Sequence, residues 1–153
     1  MKTKGIIGYL SANFITTKST RKSINHLSCL DRKLILISNE VKDILVGILL
    51  GDAHIAKRSA TGNSRLVYAQ TAVKHKLYFE NVYSKFSSFC VKDYKPQSRL
   101  VKDKRTNKTY SAISFTTMQL PCFNAYREWF YSLNKKLVPN NIHELLTPQG
   151  LAY

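Results

Sequence analysis

The chain is poor in cysteine, and its three cysteines are far apart. Cys29, Cys90 and Cys122 form no C-x-x-C pair and no spacing typical of zinc ligands. Their odd number argues against a disulfide framework and favours buried or unreactive thiols in a reducing compartment. Long apolar runs are missing too, since the longest, residues 44–50, is far shorter than the roughly 20 residues that a membrane helix needs. The sequence therefore predicts no membrane partner.

Acidic residues are also scarce. The 153 residues include 9 Asp and Glu against 24 Lys and Arg, which gives a formal net charge of +15 and a pI near 9.9. An excess of this kind is typical of chains that bind nucleic acid, and most of it lies between residues 54 and 110. A structural RNA-binding protein would show the same bias, so the charge predicts a polyanionic partner without choosing between DNA and RNA.

The first 30 residues contain no acid at all, although lysine, arginine, serine and threonine are frequent there. This composition is typical of an organellar transit peptide, and an extension inherited from an upstream reading frame is the alternative. We therefore predict a basic N-terminal extension over residues 1–40, disordered or targeting. A single domain over residues 41–153 would follow it.

Residues 43–53, DILVGILLGDA, predict an apolar helix with a distinctive end. Gly47 and Gly51 are four apart, so they share one face and leave it free for the close approach of another helix. Ser38 or Asn39 is a candidate N-cap. Asp52 would lie at the C-terminal end, where the helix dipole disfavours a carboxylate. That placement indicates a nearby positive group, and a divalent cation is the natural candidate.

After this helix, the spacing of the apolar residues changes from one typical of a helix to the alternation typical of a strand. Alternation over residues 65–71 predicts a strand, and residues 60–64, ATGNS, predict a hairpin turn from an earlier strand near residues 54–58. A second hairpin is predicted over residues 97–101 and 110–117, and a short helix over residues 142–146. Apolar spacing predicts two more helices. In the helix over residues 76–89 the predicted buried residues are Leu77, Val82, Phe86 and Phe89. In the helix over residues 120–133 they are Phe123, Tyr126, Phe130 and Leu133. The predicted order is αββαββα.

Residues 45–53, LVGILLGDA, resemble the LAGLIDADG motif of the homing endonucleases. Leu45, Gly47 and Asp52 match the motif, while Leu50 replaces its first acid and Ala53 its last glycine. Three further segments match the family in the right order: residues 70–78, then residues 115–117 with 123–131, and then residues 134–153 (NKKLVPNNIHELLTPQGLAY). The resemblance covers residues 41–153 and is to the N-terminal half of the two-motif subgroup.

This resemblance implies an α+β fold, in which a saddle-shaped antiparallel sheet lies on double-stranded DNA with helices behind it. It implies an intron-encoded, site-specific DNA endonuclease of a mitochondrion or chloroplast that uses Mg²⁺ or another divalent cation. Asp52 and the carbonyl of Gly51 would hold the metal, and Gln70 would order water beside it. Lys136, or Lys135 if the register slips by one, would stabilise charge at the cleavage site.

Basic residues on or near the predicted strands, their loops and the following helix start are assigned to DNA contact as a group. They are Lys57, Arg58, Arg65, Lys74, Lys76, Arg99, Lys102, Lys104, Arg105 and Lys108. A two-stranded ribbon fits the major groove of B-DNA, and such residues would supply both phosphate and base contacts.

The sequence ends where the two-motif subgroup would begin its second motif. Pairing of two chains through the Gly47/Gly51 helix would restore a second acidic residue as a homodimer. Two alternatives stay open. One is an RNA-binding intron maturase, which needs the basic surface but not Asp52, and the other is an inactive truncated remnant.

Overall fold

The computed structural model describes residues 27–153, so the part of the predicted extension over residues 1–26 lies outside the described residues. The elements, in chain order, are α1 (Cys29–Leu34), α2 (Asn39–Leu50), β1 (His54–Ala56), β2 (Arg65–Thr71), α3 (Lys76–Phe86), β3 (Ser98–Lys102), β4 (Thr109–Thr116), α4 (Asn124–Phe130), β5 (Tyr131–Ser132), β6 (Lys135–Lys136), α5 (Ile142–Leu145) and α6 (Pro148–Leu151). Short 3₁₀ turns at Ser87–Phe89 and Pro121–Phe123 continue α3 and precede α4.

Four strands form one antiparallel sheet in the order β1-β2-β4-β3. Both predicted hairpins are present, and β2 has the predicted bounds. Cross-strand partners share a face, so pairings such as Val67 with Thr116, Ala69 with Ser114 and Arg99 with Ala112 define one side of the sheet. This outer face comprises His54, Ala56, Arg65, Val67, Ala69, Thr71, Arg99, Val101, Tyr110, Ala112, Ser114 and Thr116.

The opposite face of the sheet packs on the helices through an aromatic core. Phe115 is fully buried, and its ring lies 5.7 Å from that of Tyr68, 5.6 Å from that of Phe79 and 6.2 Å from that of Phe86. Apolar residues on several sides of α2 are buried as well, including Leu45. The predicted α+β architecture, an antiparallel sheet with helices behind it, is thereby confirmed.

Two helix predictions need correction. The helix predicted over residues 120–133 ends at Phe130, because a tight hairpin follows it. Leu133 and Asn134 form the turn with φ of 47° and 64°, and two positive φ values are typical of a type I′ hairpin. Leu133 is consequently 94% exposed rather than buried. Leu77, also predicted to be buried, is 83% exposed.

Of the predicted extension over residues 1–40, the structure describes residues 27–40, and these residues belong to the folded unit. Ser28 and Asp31 form a reciprocal capping box at the start of α1. Ile37 is buried in the core, and the Ser38 side chain caps α2 by accepting the N–H of Val41. The folded domain therefore begins before residue 41.

Helix α2 packs against α6 of the same chain at Gly47. A Cβ on Gly47 would collide with the carbonyl group of Gly150, so the two backbones are in direct contact there. Around Gly51 a Cβ would meet nothing nearer than the Ile48 carbonyl oxygen at 3.7 Å. The predicted close approach at Gly47 thus occurs within one chain, and a homodimer through Gly47 would have to displace α6. Over residues 27–153, no helix has the length and apolarity to span a membrane.

Candidate active site

The candidate site begins where α2 ends. Gly51 is the C-cap of this helix, and the N–H of Ala53 returns to the carbonyl of Ile48 at 3.0 Å. This turn leaves the Asp52 side chain exposed between the end of α2 and the start of β1. The carboxylate predicted for metal binding is therefore open to solvent and to a ligand.

Gln70 lies against Asp52. Its Nε2 donates a hydrogen bond of 2.6 Å to Asp52 Oδ2. The same nitrogen lies 3.3 Å from the hydroxyl of Tyr68 and donates to it. Gln70 is near the end of β2, so the strand brings a residue 18 positions away in sequence to the end of α2.

Lys136 reaches the site from the β5–β6 hairpin. Its Nζ donates to the carbonyl oxygen of Gly51 at 2.9 Å and to that of Ala53 at 2.8 Å. Partial burial lowers the pKa of Lys136, and the carboxylate of Asp52 opposes that shift. The structure thus brings Asp52, Gly51, Gln70 and Lys136 together as predicted. Neighbouring residues of a strand point to opposite faces, which separates Lys135 from this contact.

The surroundings of the site are positively charged. Burial lowers the pKa of His54, and the nearby charges of Lys136, Arg65 and Arg127 lower it further. His54 is on the outer face, so the positive charges near the site also act on that face. An anion such as a phosphate group would be attracted to this environment.

The oxygen donors present fit a hard cation such as Mg²⁺ in part. Asp52 provides a carboxylate and Gly51 a carbonyl, and Mg²⁺ is usually held by one or two carboxylates together with phosphate and water oxygens. Residues 27–153 contain no cluster of three or more His, Cys, Asp or Glu side chains that could form a closed protein cage. The donor set therefore suits a metal shared with a substrate phosphate.

The predicted DNA-binding residues occupy several places around the sheet. Arg65 and Arg99 lie on the outer face, whereas Lys102 pairs with Thr109 on the other face at the tip of the β3–β4 hairpin. Lys104, Arg105 and Lys108 lie in or beside the loop of that hairpin. Lys74 and Lys76 are separate from these, at the start of α3, and Lys76 forms an ion pair with Glu80 at 3.8 Å.

Lys57 and Arg58, in the β1–β2 loop, line an open cleft of about 350 Å³ with Arg127 and Asn134. Sequence reasoning missed Arg127. Its guanidinium donates to the carbonyl of Ile55 at 2.8 Å and to Asn134 Oδ1 at 2.6 Å. It also lies 3.9 Å over the Tyr131 ring. No local pattern reveals this arginine, because Ile55 is 72 residues away.

The fold and this site define a class of protein in which an antiparallel sheet lies beside a carboxylate at the end of a buried helix. The model of the LAGLIDADG DNA endonuclease family matches residues 42–153, and the chain belongs to that family. The resemblance seen in the sequence is confirmed.

Two curated relatives match part of the chain. The DNA endonuclease I-ChuI of Chlamydomonas applanata is 28% identical over 123 residues, covering 76% of this chain and 56% of that protein. The cytochrome b mRNA maturase bI2 of Debaryomyces hansenii is 26% identical over 118 residues, covering 76% of this chain and 44% of that protein. The chain therefore spans about half the length of the curated relatives it matches.

A solved structure has a similar fold. The homing endonuclease I-WcaI, bound to its DNA recognition sequence, superposes with a TM-score of 0.70 at 20% identity. The match covers 86% of this chain and 58% of I-WcaI. At this identity the likeness establishes the fold.

Proposed function

We propose that this chain is the DNA-cleaving half of a site-specific homing endonuclease that hydrolyses phosphodiester bonds. The observation that carries the proposal is the convergence of Asp52, Gly51, Gln70 and Lys136 at the end of α2. Membership of the LAGLIDADG DNA endonuclease family supports it. Hydrolysis needs an activated water, charge neutralisation on the phosphate and help for the leaving oxygen, and these residue types suit those tasks.

In this proposal Asp52 and the carbonyl of Gly51 would hold Mg²⁺ or another divalent cation. The cation would supply Lewis acidity and lower the pKa of a bound water. Gln70 orients the attacking water through its side-chain amide. Lys136 presents an ammonium group held by two carbonyls, ready to stabilise negative charge that develops at the phosphate.

We further propose that the outer face contacts double-stranded DNA in the major groove. Arg65 and Arg99 lie on this face toward opposite ends of the sheet, because Arg65 pairs with Ala56 whereas Arg99 pairs with Ala112, whose partner on β2 is Thr71. The basic residues of the two hairpin loops extend the positively charged surface. The homing endonuclease I-WcaI, which has a similar fold, is bound to its DNA recognition sequence, and this supports DNA as the partner.

We also propose that a second copy of this chain can pair with it along α2, with α6 displaced from Gly47, which would bring a second Asp52 to the site. Sedimentation of the purified chain with and without DNA tests this pairing. We also propose an organellar location, mitochondrial or chloroplast, supported by the basic, acid-free composition of the first 30 residues. Imaging of a tagged chain tests that location.

An RNA-binding maturase is the second candidate, because one relative is a cytochrome b mRNA maturase. That role would use the basic surface without the Asp52 carboxylate. An inactive remnant would keep the fold without either activity.

Asp52→Asn separates these functions. We expect it to reduce cleavage of a DNA library carrying a long randomised segment by at least about 100-fold with Mg²⁺ present, while DNA affinity is retained. Asp93→Asn is the matched control, since it removes one exposed carboxylate elsewhere at a residue whose φ of 62° suits asparagine. Equal cleavage by Asp52→Asn and the parent chain would refute the proposed role of Asp52. Splicing activity that survives Asp52→Asn, with no DNA cleavage by the parent chain, would establish the maturase.

A further inference from the structure

The side-chain amide of Gln70 is held by two different acceptors. Gln70 and Tyr68 are two residues apart on β2 and therefore share the inner face of the sheet. The amide nitrogen has two N–H groups. One donates to Asp52 Oδ2 at 2.6 Å, and the other is directed to the Tyr68 hydroxyl at 3.3 Å. Both donors are thus committed within the protein.

Tyr68 is a rigid acceptor. Its side chain is 1% exposed, and its ring stacks on Phe79 at 5.8 Å with an interplanar angle of 13°. Burial raises the pKa of Tyr68 to about 12, so its hydroxyl keeps its proton at neutral pH. The nearby Tyr78 hydroxyl donates to the backbone oxygen of Tyr153. A tyrosine oxygen has lone pairs that accept hydrogen bonds, so Tyr68 can accept the N–H of Gln70.

This arrangement determines which way the Gln70 amide faces. A flipped amide would place Oε1 against the Asp52 carboxylate, where two acceptors would repel each other, and Nε2 would lose both of its present acceptors. In the observed orientation, Oε1 faces away from both acceptors and is free to accept a hydrogen bond from another group. A water molecule held by Oε1 would be oriented through its own O–H.

We propose that Tyr68 is a positioning residue, which, together with Asp52, fixes the Gln70 amide so that Oε1 accepts a hydrogen bond from the attacking water. The consequence for the reaction rests on the endonuclease function proposed above. The orientation of the amide itself does not depend on that function, so the two can be tested separately.

The test is Tyr68→Phe, which removes the hydroxyl and keeps the ring. In the metal-free chain, nuclear magnetic resonance reports the Gln70 Nε2 protons, assigned by their loss in Gln70→Ala. We expect the proton that faced Tyr68 to shift toward the position of a free amide. Its exchange with solvent should become about tenfold faster, as for the loss of one hydrogen bond. The single-turnover rate of DNA cleavage should fall about tenfold, with DNA affinity unchanged.

Tyr83→Phe is the matched control. Tyr83 also packs its ring on Phe115, and its hydroxyl donates to the backbone oxygen of Tyr94, away from the site. We expect this variant to keep its ring packing and to lose one hydroxyl hydrogen bond, while the Gln70 signals and the cleavage rate stay unchanged.

Unchanged Gln70 amide signals in Tyr68→Phe would overturn the proposal, whatever the cleavage assay shows. Changed signals with a parent-like cleavage rate would overturn the effect on the reaction. If the parent chain cuts no DNA, the endonuclease proposal fails, and the resonance experiment still decides whether Tyr68 positions Gln70.

Discussion

Gly47 and Gly150 touch backbone to backbone, although they are more than a hundred residues apart in sequence. A Cβ on Gly150 would lie 2.7 Å from the carbonyl oxygen of Asp43, so neither glycine has room for a side chain. Thr147 caps α6 by accepting the N–H of Gly150, which holds this short helix in place against α2. Because the Asp52 site follows directly after α2, this contact helps to fix the helix that carries it.

Gly47→Ala should therefore destabilise the fold. The added methyl would force the two backbones apart, and overpacking of this kind costs about 1–3 kcal/mol of the free energy of unfolding. Urea unfolding followed by circular dichroism measures the change. Gly150→Ala should act in the same direction, and the double variant should lose less than the sum because both changes disrupt one contact. Full stability in both single variants would show that α6 does not dock on α2.

Replacing the two neighbouring lysines of β6, Lys135 and Lys136, should have different effects on the rate of DNA cleavage. Lys136→Met removes the ammonium that bridges Gly51 and Ala53, so we expect DNA cleavage to fall by about 100-fold, as for the loss of one preorganised electrostatic group. Single-turnover cleavage at saturating protein measures this effect. Lys135→Met removes the same charge from the other side of the hairpin and should leave the rate close to that of the parent chain. The reverse ranking would mean that the register of the hairpin is shifted by one residue.

Local patterns predicted most of the fold. Alternation in the sequence predicts the bounds of β2, because one face of this strand is more buried than the other. The apolar run with two glycines predicts the motif helix, which is buried on several sides. The β5–β6 hairpin was missed, since Leu133 continues the helical spacing of Phe130 and nothing local outweighs it. The turn of this hairpin has positive φ at Leu133 and Asn134. The spacing of apolar residues in the sequence gives no information about these backbone angles.

The end of the apolar helix by itself indicates Asp52 as a cation ligand, whereas Gln70 and Lys136 are predicted only through the resemblance to a family. Spacing alone gives no reason for Asp52, Gln70 and Lys136 to meet, since Lys136 bonds a carbonyl 85 residues away. Tyr68 and Arg127 were missed for the same reason. Tyr68 looks like an ordinary core tyrosine, and Arg127 like a charge on an amphipathic helix, until the fold brings their partners to them.

The salt dependence of DNA binding should locate the interface. Removing two cations with Arg65→Ala and Arg99→Ala should reduce the slope of log affinity against log salt by about 1.8, if both residues contact phosphate. Fluorescence anisotropy on a labelled duplex between low and physiological salt measures that slope. Lys33→Ala with Lys42→Ala is a control of equal net charge, because both lysines are on helices behind the sheet. Equal slopes in the two double variants would contradict binding by the outer face.

Stability should fall at alkaline pH through a buried tyrosine. Burial first, and then the charges of Cys122 and Asp43, raise the pKa of Tyr126 from 10.0 to about 12. Below pH 10 the phenol is neutral in both states, and its stabilising effect is fully present. Above that pH the unfolded chain releases the proton more readily than the folded one, so up to about 2–3 kcal/mol of the free energy of unfolding is lost as pH approaches 12. Urea unfolding at pH 8, 10 and 11 should therefore give a shallower decline for Tyr126→Phe than for the parent chain. Tyr110→Phe, at an exposed position, should follow the parent curve, and coincident curves for all three proteins would show that Tyr126 titrates alike in both states.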